Sequence, residues 1–334
     1  MKVGVISQPL SNNYGGVLQN FALQKVLQKL GFEVVTIDYT PCRPLWKIPF
    51  SWMKRFIQRK FLKKNQTCKR KAFVRKDIFN AFIEENINKT EIVKKLKSTL
   101  IKQQSFDAVV VGSDQVWRPK YNFNIKNMFL DFCKKEKNLK RIAYAASFGV
   151  DEWEYSSSQT KVCSLLAQKF DAIGVREESA VNLCSKYLGV EASWVLDPTL
   201  LLHKEEYLNI CKNVPKLSQK TLVAYVLDRN EIVFSICESI AAERGLALKF
   251  FEAGENAVLS VPEWLAMFRD ASYVVTDSFH GTAFSIIFEK DFKCLYNKNR
   301  GSTRFDSLLN VFDSGKIDEM RCFSLNWIKN SLGA

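Results

Sequence analysis

The residues best placed to do chemistry lie at 277–282, where an apolar run ends in Asp-Ser-Phe-His-Gly-Thr. A helix is predicted to begin there, and its free N–H groups and positive dipole end would favour a phosphate or a carboxylate. His280 adds a titratable donor with an ordinary pKa of roughly 6.5. Ser278 and Thr282 add hydroxyl groups, and Gly281 lets a ligand approach the backbone. The alternative is an ordinary helix cap beside a satisfied histidine. We favour an anion site because this is one of only two histidines and it follows a predicted strand.

A second candidate site precedes the first predicted helix, in the segment 7–16. Its amide and hydroxyl side chains, with Asn13, Tyr14, Gly15 and Gly16 at its end, suit hydrogen bonds to sugar hydroxyls. The Gly-x-Gly-x-x-Gly spacing of a dinucleotide-binding turn is absent. Gly15 and Gly16 could instead form only a tight turn.

A third candidate site follows the apolar run at 109–111. Asp114 is placed to accept a proton from an attacking hydroxyl, and Trp117 offers an aromatic face to a sugar ring. An equally good explanation of Asp114 is that it caps the following turn.

Two arginines are candidates for gripping an anion. Arg176 ends a predicted strand and could hold a carboxylate or phosphate through two hydrogen bonds, although an ion pair with Glu177 or Glu178 is the alternative. Arg304 precedes a late helix and could face the same anion or be a solvated charge. Asp197-Pro198 is interpreted as structural, and His203 as an ordinary loop histidine.

No obligatory metal is predicted, because the two histidines are distant and no paired cysteines or aspartate cluster occur at ligand spacing. Nine dispersed cysteines are typical of reduced, mostly buried thiols and so of a reducing compartment. Met1 leads directly into a predicted strand, and no segment reaches the roughly 18 apolar residues of a membrane span. We therefore expect a cytoplasmic protein that is soluble or peripherally attached to a membrane.

Short apolar runs alternate with helix-period segments, which predicts parallel sheets covered by helices on both faces. Two Rossmann-like α/β domains facing a central cleft are the simplest arrangement, with the first at 1–200 and the second at 201–334. Open sheets bind ligands at the carboxyl ends of their strands, where the candidate residues lie. The strands are predicted at 3–7, 34–38, 108–112, 142–147, 172–175, 193–196, 222–227, 247–251, 273–276 and 292–296, and helices at 17–30, 231–244, 262–268 and 280–288.

Positive charge dominates the chain, with 49 Lys and Arg against 35 Asp and Glu, giving a formal charge of +14. Its partner could be nucleic acid, a phosphorylated metabolite or an anionic lipid. An insertion at 44–76 breaks the strand and helix pattern, and within it 46–64 mixes aromatic residues with dense basic charge. Such a stretch could bind an anionic membrane surface, could bind nucleic acid, or could be a solvated surface helix.

Six motifs in order, at 13–23, 111–117, 145–149, 175–177, 196–199 and 277–282, together resemble the polysaccharide pyruvyl transferase family. The resemblance implies a fold like that of the B-type glycosyltransferases. It also implies phosphoenolpyruvate as co-substrate, no other cofactor, and formation of a cyclic pyruvate ketal on two sugar hydroxyls. The acceptor is expected to be a galactose-type sugar in a polyprenyl-diphosphate-linked precursor of a capsular or other surface polysaccharide. The stretch 46–64 would then contact the inner face of the cell membrane, and no nucleic acid is expected.

Carried over by position, His280 would be the proton donor, Asp114 the base, and Arg176 the cation that neutralises the leaving phosphate. The expected donor side comprises Ser278, Gly281, Thr282 and Arg304, and the expected acceptor side Asn13, Tyr14, Gly15, Gly16 and Trp117. A B-type glycosyltransferase that uses a nucleotide sugar is one alternative. A non-catalytic protein that binds anions or nucleic acid is another, although it would spread basic residues over a face instead of placing polar motifs at strand ends.

Overall fold

The computed structural model describes residues 1–41, 67–122, 124–252, 254–295 and 302–334, and for 67–76 and 255 it describes only the backbone. The basic stretch 46–64, and with it most of the predicted insertion 44–76, lies outside the described residues.

Ten strands form two parallel sheets in the described part of the chain. The runs of Val, Ile and Ala that build them are apolar on both faces, as strands covered by helices require. All ten predicted strands are present, and most end one or two residues earlier than predicted. The first sheet contains β1 (Lys2–Ile6), β2 (Glu33–Thr36), β3 (Ala108–Val111), β4 (Lys140–Ala146), β5 (Ala172–Val175) and β6 (Ser193–Trp194), and the second β7 (Thr221–Tyr225), β8 (Ala247–Phe251), β9 (Tyr273–Thr276) and β10 (Phe292–Cys294).

The described helices lie between and after these strands. The helix at 231–244 is as predicted, whereas the first helix begins at Tyr14 and not at residue 17. A capping box is present at Ser260, whose side chain accepts from the backbone N–H of Glu263. The helices are α1 (Tyr14–Lys29), α2 (Thr67–Asn86), α3 (Thr99–Gln104), α4 (Ser157–Ala167), α5 (Glu178–Leu183), α6 (Lys204–Cys211), α7 (Glu231–Arg244), α8 (Val261–Asp270), α9 (Phe279–Ile287), α10 (Thr303–Asp313) and α11 (Ile317–Leu332).

Both sheets reverse their strand order at one point. The first runs β2-β1-β3-β4-β5-β6 and reverses between β1 and β3, and the second runs β10-β9-β7-β8 and reverses between β7 and β9. At such a point neighbouring strands send their helices to opposite faces, which opens a crevice at their carboxyl ends. The topology therefore places one crevice on each sheet.

The two sheets share one continuous apolar cluster behind these crevices. It runs from Val3 and Leu18 on the first side to Val274 and Phe284 on the second. Tyr14 of α1 stacks on Trp264 of α8 with ring centroids 5.2 Å apart. The domain division at residues 200 and 201 stays a prediction, but the packing joins both sides firmly.

The last helix returns to the first sheet although it follows the second in sequence. The backbone N–H of Leu196 donates to Ser324 Oγ at 3.0 Å, and Lys140 Nζ donates to the carbonyl of Leu332 at 2.9 Å. Trp327 of the same helix lies over Gly174, where a Cβ would approach its ring to 3.1 Å. Helix α11 thus ties the end of the chain to β4, β5 and the segment after β6.

Candidate functional site

A cleft of about 970 Å³ lies where the two crevices meet. Its first wall is formed by the segment after β1 and the start of α1, with Asp114 and Gln115 after β3. Its second wall is formed by the segment after β7 and by 277–280 after β9, with Arg304 and Phe305 at the start of α10. The reversal points of both sheets therefore open into the same cleft.

His280 lies on the second wall, in the first turn of α9, and its side chain is almost enclosed. Burial lowers the pKa of His280 to about 4, against the opposing effect of the carboxylates of Asp197 and Asp114. The sequence predicts an ordinary pKa, so this is a correction whose cause is desolvation of the imidazolium. Nε2 of the ring is buried without a hydrogen-bond partner. At neutral pH the site therefore presents a neutral imidazole with an unused polar atom.

Gly15 lies directly against the imidazole ring of His280. A Cβ built on Gly15 would lie 1.9 Å from His280 Nδ1, so only a glycine fits opposite the ring. Besides the acceptor contact expected of it, Gly15 therefore leaves the space that the imidazole ring occupies. Because Gly15 lies in α1 and His280 in α9, this contact joins the two walls of the cleft.

The start of α9 is organised mainly by its own hydrogen bonds. Ser278 lines the cleft and caps the helix by accepting from the N–H of Gly281 at 3.4 Å. Thr282 is fully buried, and its hydroxyl donates to the carbonyl of Ser278. A Cβ on Gly281 would meet Thr276 Oγ1 at 2.1 Å. Thr282 and Gly281 thus shape the turn without lining the cleft, and their contact with a donor stays a prediction.

Arg176 is the most deeply buried cation of the site, with 3% of its surface exposed. Its Nη1 lies 3.0 Å from Asp197 Oδ2 and its Nη2 3.8 Å from Asp114 Oδ1. Its Nε and Nη2 are buried without a hydrogen-bond partner. The alternative of an ion pair with Glu177 is wrong, because Glu177 Oε1 accepts from Ser147 Oγ and from two backbone N–H groups.

Asp197 is the ion-pair partner of Arg176, and it also caps the turn at Pro198 by accepting from the N–H of Thr199, as its structural interpretation predicts. Burial alone would raise the pKa of Asp197, but the charge of Arg176, assisted by His280 and Thr199, lowers it below its usual value. The side chain of Gln19 also donates to this carboxylate. Asp197 is therefore an ionised, fully enclosed carboxylate that holds Arg176 in position.

Arg304 lines the cleft but forms no ion pair with any described residue. Its side chain is 9% exposed, and its Nε is buried without a hydrogen-bond partner. Burial, followed by repulsion from Arg176, lowers the pKa of Arg304 to about 10. The predicted alternative of a solvated charge is therefore wrong, and a buried cation without a counter-ion favours an anionic ligand.

Asp114 lines the cleft with a strained backbone, its φ being +88°. Its Oδ1 accepts from the N–H of Gln115 at 2.8 Å, which is the capping role weighed for it. Its neighbour across the sheet, β4, has a register shift between Ala143 and Ala146 and a φ of +52° at Ala145. Bulges and positive φ angles often accompany functional sites because they re-aim a side chain.

The expected acceptor side is only partly assembled at the cleft. Asn13, Gly15 and Gly16 line it. Tyr14 is fully buried, and its hydroxyl donates to the carbonyl of Leu259. Trp117 is also fully buried, stacking on Phe129 at 4.8 Å and donating to the carbonyl of Met128. Neither ring lines the cleft, because both are covered by protein, and the acceptor contacts of Tyr14 and Trp117 stay a prediction.

Several residues that line the cleft were not predicted from the sequence. Phe279 lines it beside His280, and Arg229 and Glu252 form an ion pair at 3.2 Å on its second wall. Phe279 lies within the predicted motif 277–282, so its position in the sequence could have identified it as a residue of the cleft. Arg229 and Glu252 follow two different strands, and nothing in the local sequence marks them as neighbours.

Among the described residues, no group of three His, Cys, Asp or Glu side chains is arranged to hold a metal ion. None of the described helices combines the length and the apolar character needed to cross a bilayer.

Comparison with known proteins adds a family and a fold. The family model described as polysaccharide pyruvyl transferase matches residues 13–299. The UDP-GlcNAc 2-epimerase of Methanocaldococcus jannaschii is similar in structure, with a TM-score of 0.50, 13% identity and coverage of 94% of this chain and 92% of that one. The S. aureus MnaA-UDP structure has a TM-score of 0.50 at 11% identity and covers 96% and 90% of the two chains. A comparison with curated protein sequences found no match. At these identities the structural likeness concerns the fold, and the predicted pair of parallel-sheet domains around a cleft is confirmed.

Proposed function

The chain belongs to the polysaccharide pyruvyl transferase family, and from that premise we propose that it transfers the pyruvyl group of phosphoenolpyruvate to two hydroxyls of one sugar. The product is a cyclic pyruvate ketal. The observation that supports this donor is a group of buried nitrogen atoms without hydrogen-bond partners. Arg304 Nε and His280 Nε2 belong to residues that line the cleft, whereas Nε and Nη2 of Arg176 belong to a residue that does not line it but lies against Phe279 of its wall.

The charges of the site suit a small ligand with two anionic groups. Asp197 balances Arg176, whereas Arg304 has no carboxylate partner among the described residues. Such a buried excess of positive charge is unfavourable until an anion arrives. A carboxylate and a phosphate on neighbouring carbon and oxygen atoms would use both guanidinium groups and the imidazole.

The same arrangement supports His280 as the proton donor. With a pKa of about 4, the imidazole is neutral in the free site at pH 7. A bound dianion would add negative charge beside it and raise that pKa, because an opposite charge favours the protonated form. Proton uptake would therefore accompany donor binding and charge the acid only when its substrate is present.

The proposed transfer conserves every proton and every electron pair. His280 delivers a proton to the methylene carbon of phosphoenolpyruvate, and a sugar hydroxyl oxygen bonds to the adjacent carbon as its proton passes to Asp114. The carbon–oxygen bond to phosphate then breaks with its electron pair on the phosphate. The second hydroxyl oxygen bonds to the same carbon and passes its proton to the released phosphate, and the proton taken up by Asp114 returns through solvent to His280. One hydroxyl proton thus ends on the new methyl group and the other on the released phosphate, while Arg176 and Arg304 stabilise the developing charge.

The remaining room in the cleft supports a sugar acceptor. Phosphoenolpyruvate is far smaller than a cleft of about 970 Å³. The first wall adds Gln8, Ser11, Asn12 and Asn13, whose uncharged polar side chains suit sugar hydroxyls. We assign the acceptor to that wall, across the cleft from Arg304.

A lipid-linked acceptor and attachment to the cytoplasmic face of a membrane belong to the proposal as well. They rest on the basic aromatic sequence 46–64 and on the formal charge of +14. Each basic residue near an anionic surface contributes about 1 kcal/mol. Flotation with phosphatidylglycerol vesicles at low salt tests this, and absence of binding would remove the membrane contact from the proposal.

The decisive experiment measures phosphate release from phosphoenolpyruvate in the presence of galactosides, mannosides and hexosamines, free and lipid-linked. We expect release that depends on one of these sugars. His280→Ala should reduce turnover at least about 100-fold if the imidazole is the acid. Thermal stabilisation by nucleotides and none by phosphoenolpyruvate would contradict the proposal and favour a nucleotide-sugar donor.

A further inference from the structure

Phe279 is the common neighbour of the cationic groups of the site. The guanidinium carbon of Arg176 lies 4.6 Å from the centre of its ring, and that of Arg304 lies 5.8 Å from it. The imidazole of His280 meets the ring edge to face at 5.3 Å. One aromatic side chain thus contacts all three groups that carry unused donors.

Holding two guanidinium groups in one buried site is unfavourable. Both have lost most of their hydration, and each repels the other. Asp197 compensates Arg176 but does not bond to Arg304. The face of an aromatic ring carries partial negative charge and attracts cations, most strongly where water is excluded. Asp114 and Glu177 also attract Arg304, but without an ion pair, so Phe279 supplies a close contact that no carboxylate among the described residues provides for Arg304.

We propose that Phe279 is a positioning residue that fixes the spacing of Arg176 and Arg304 for a ligand with two anionic groups. The identity of that ligand as phosphoenolpyruvate rests on the proposed function, but the role of the ring does not. An aliphatic side chain of similar volume would keep the packing and remove the ring face. A tyrosine would keep the face.

Calorimetric titration with inorganic phosphate and with phosphoenolpyruvate tests the role of the ring directly. The variants are Phe279→Leu, Phe279→Tyr and the control Phe288→Leu. Phe288 stands at the other end of α9, is 6% exposed against 5% for Phe279, and packs on Phe284 without a described cation over its ring. We expect Phe279→Leu to weaken binding of both anions about tenfold, which is what the loss of two desolvated cation–ring contacts would produce. Phe279→Tyr should remain within about threefold of the wild type and Phe288→Leu should match it.

Kinetics separate positioning from catalysis. If Phe279 positions the arginines, its leucine variant should raise KM for phosphoenolpyruvate about tenfold and change kcat much less. Equal affinities of wild type and Phe279→Leu for both anions would overturn the inference and leave the proposed function intact. Binding of phosphate without binding of phosphoenolpyruvate would overturn the proposed function, while the phosphate titration would still decide the role of Phe279. A Phe288→Leu variant as weak as Phe279→Leu would show a general packing effect and also overturn the inference.

Discussion

Several side chains of this site have an ionisation state or a charge environment that differs from the one they would have in water. His280 is neutral because burial lowers its pKa to about 4, and Arg304 is a buried cation that pairs with no carboxylate in the part of the chain that the structure describes. Asp197 is an ionised carboxylate with almost no exposed surface. Each state costs folding free energy that an apolar site would not require, and such costs are typical of sites prepared for a charged ligand.

The neutral state of His280 predicts a pH dependence of stability. In the unfolded chain its pKa is roughly 6.5, and in the folded chain it is about 4. Between these values the unfolded state binds a proton that the folded state does not, so stability must decrease as the pH falls from 6.5 toward 4. This difference in pKa corresponds to a loss of about 3 kcal/mol in the free energy of unfolding. Above pH 6.5 His280 is neutral in both states and contributes no pH dependence.

Urea unfolding of wild type and His280→Gln between pH 4 and pH 8 measures this effect. The variant should lose less stability than the wild type over the window from 6.5 to 4 and behave like it above. His203→Gln is the control, since it removes the other histidine at a position exposed to solvent. Parallel curves for wild type and His280→Gln would contradict a buried neutral imidazole.

Gly15 and Gly16 form a matched pair for the position of the imidazole. An alanine at 15 would place Cβ 1.9 Å from His280 Nδ1, whereas at 16 it would meet only the side-chain end of Asn13 at 3.3 Å. Displacing a catalytic group by about 1 Å can cost on the order of 100-fold in rate. Gly15→Ala should therefore lose about 100-fold in turnover and Gly16→Ala less than about threefold.

Phosphate-release assays on both variants, after circular dichroism has verified folding, test this comparison. Similar turnover of Gly15→Ala and wild type would show that the ring can move without consequence.

At the scale of elements, the existence and type of the strands were the most predictable features, and the exact ends of the elements were less predictable. The apolar runs predicted all ten strands, and the polar residues after the ninth strand predicted the helix start beside His280. Side-chain direction was not predictable, because the position after a strand fixes the backbone but not the face toward which a ring turns. Tyr14 and Trp117 therefore point into the protein, toward partners that only tertiary packing brings near. The contact of Asp197 with Arg176 was not predictable for the same reason, since β5 and β6 must pair before the two side chains meet.

Ser278 and Ser260 each cap a helix, and a comparison of the two distinguishes an effect on stability from an effect on function. Ser278 caps α9 at the cleft, and Ser260 caps α8 outside it. Replacing either by alanine should reduce the free energy of unfolding by about 1 kcal/mol. Only Ser278→Ala should also raise KM for phosphoenolpyruvate, because its hydroxyl lies in the cleft beside His280.

Urea unfolding and phosphate-release kinetics on both variants provide the comparison. An equal change of KM in Ser260→Ala would mean that loss of stability alone explains the effect.

At the scale of the molecule, the cleft lies between two sheets that are joined behind it by one apolar cluster. Tyr14 is central to that junction, since it stacks on Trp264 and contacts Phe79 with ring centroids 4.7 Å apart. Helix α11 adds a second connection by returning to the first sheet. Both walls of the cleft therefore depend on the same packed interior, although each belongs to its own sheet.

This shared interior predicts one cooperative unfolding transition for the wild type, because neither side can expose the cluster without the other. Tyr14→Ala should remove the contact across the junction, lower stability by about 3–5 kcal/mol and separate the transition into two. Phe129→Ala is the matched control, since Phe129 is equally buried but packs within the first sheet's own cluster. Its loss should lower the transition temperature and leave a single transition. Scanning calorimetry distinguishes these outcomes, and two resolved transitions in the wild type would show that the sheets unfold independently and that the cleft is not held by a common core.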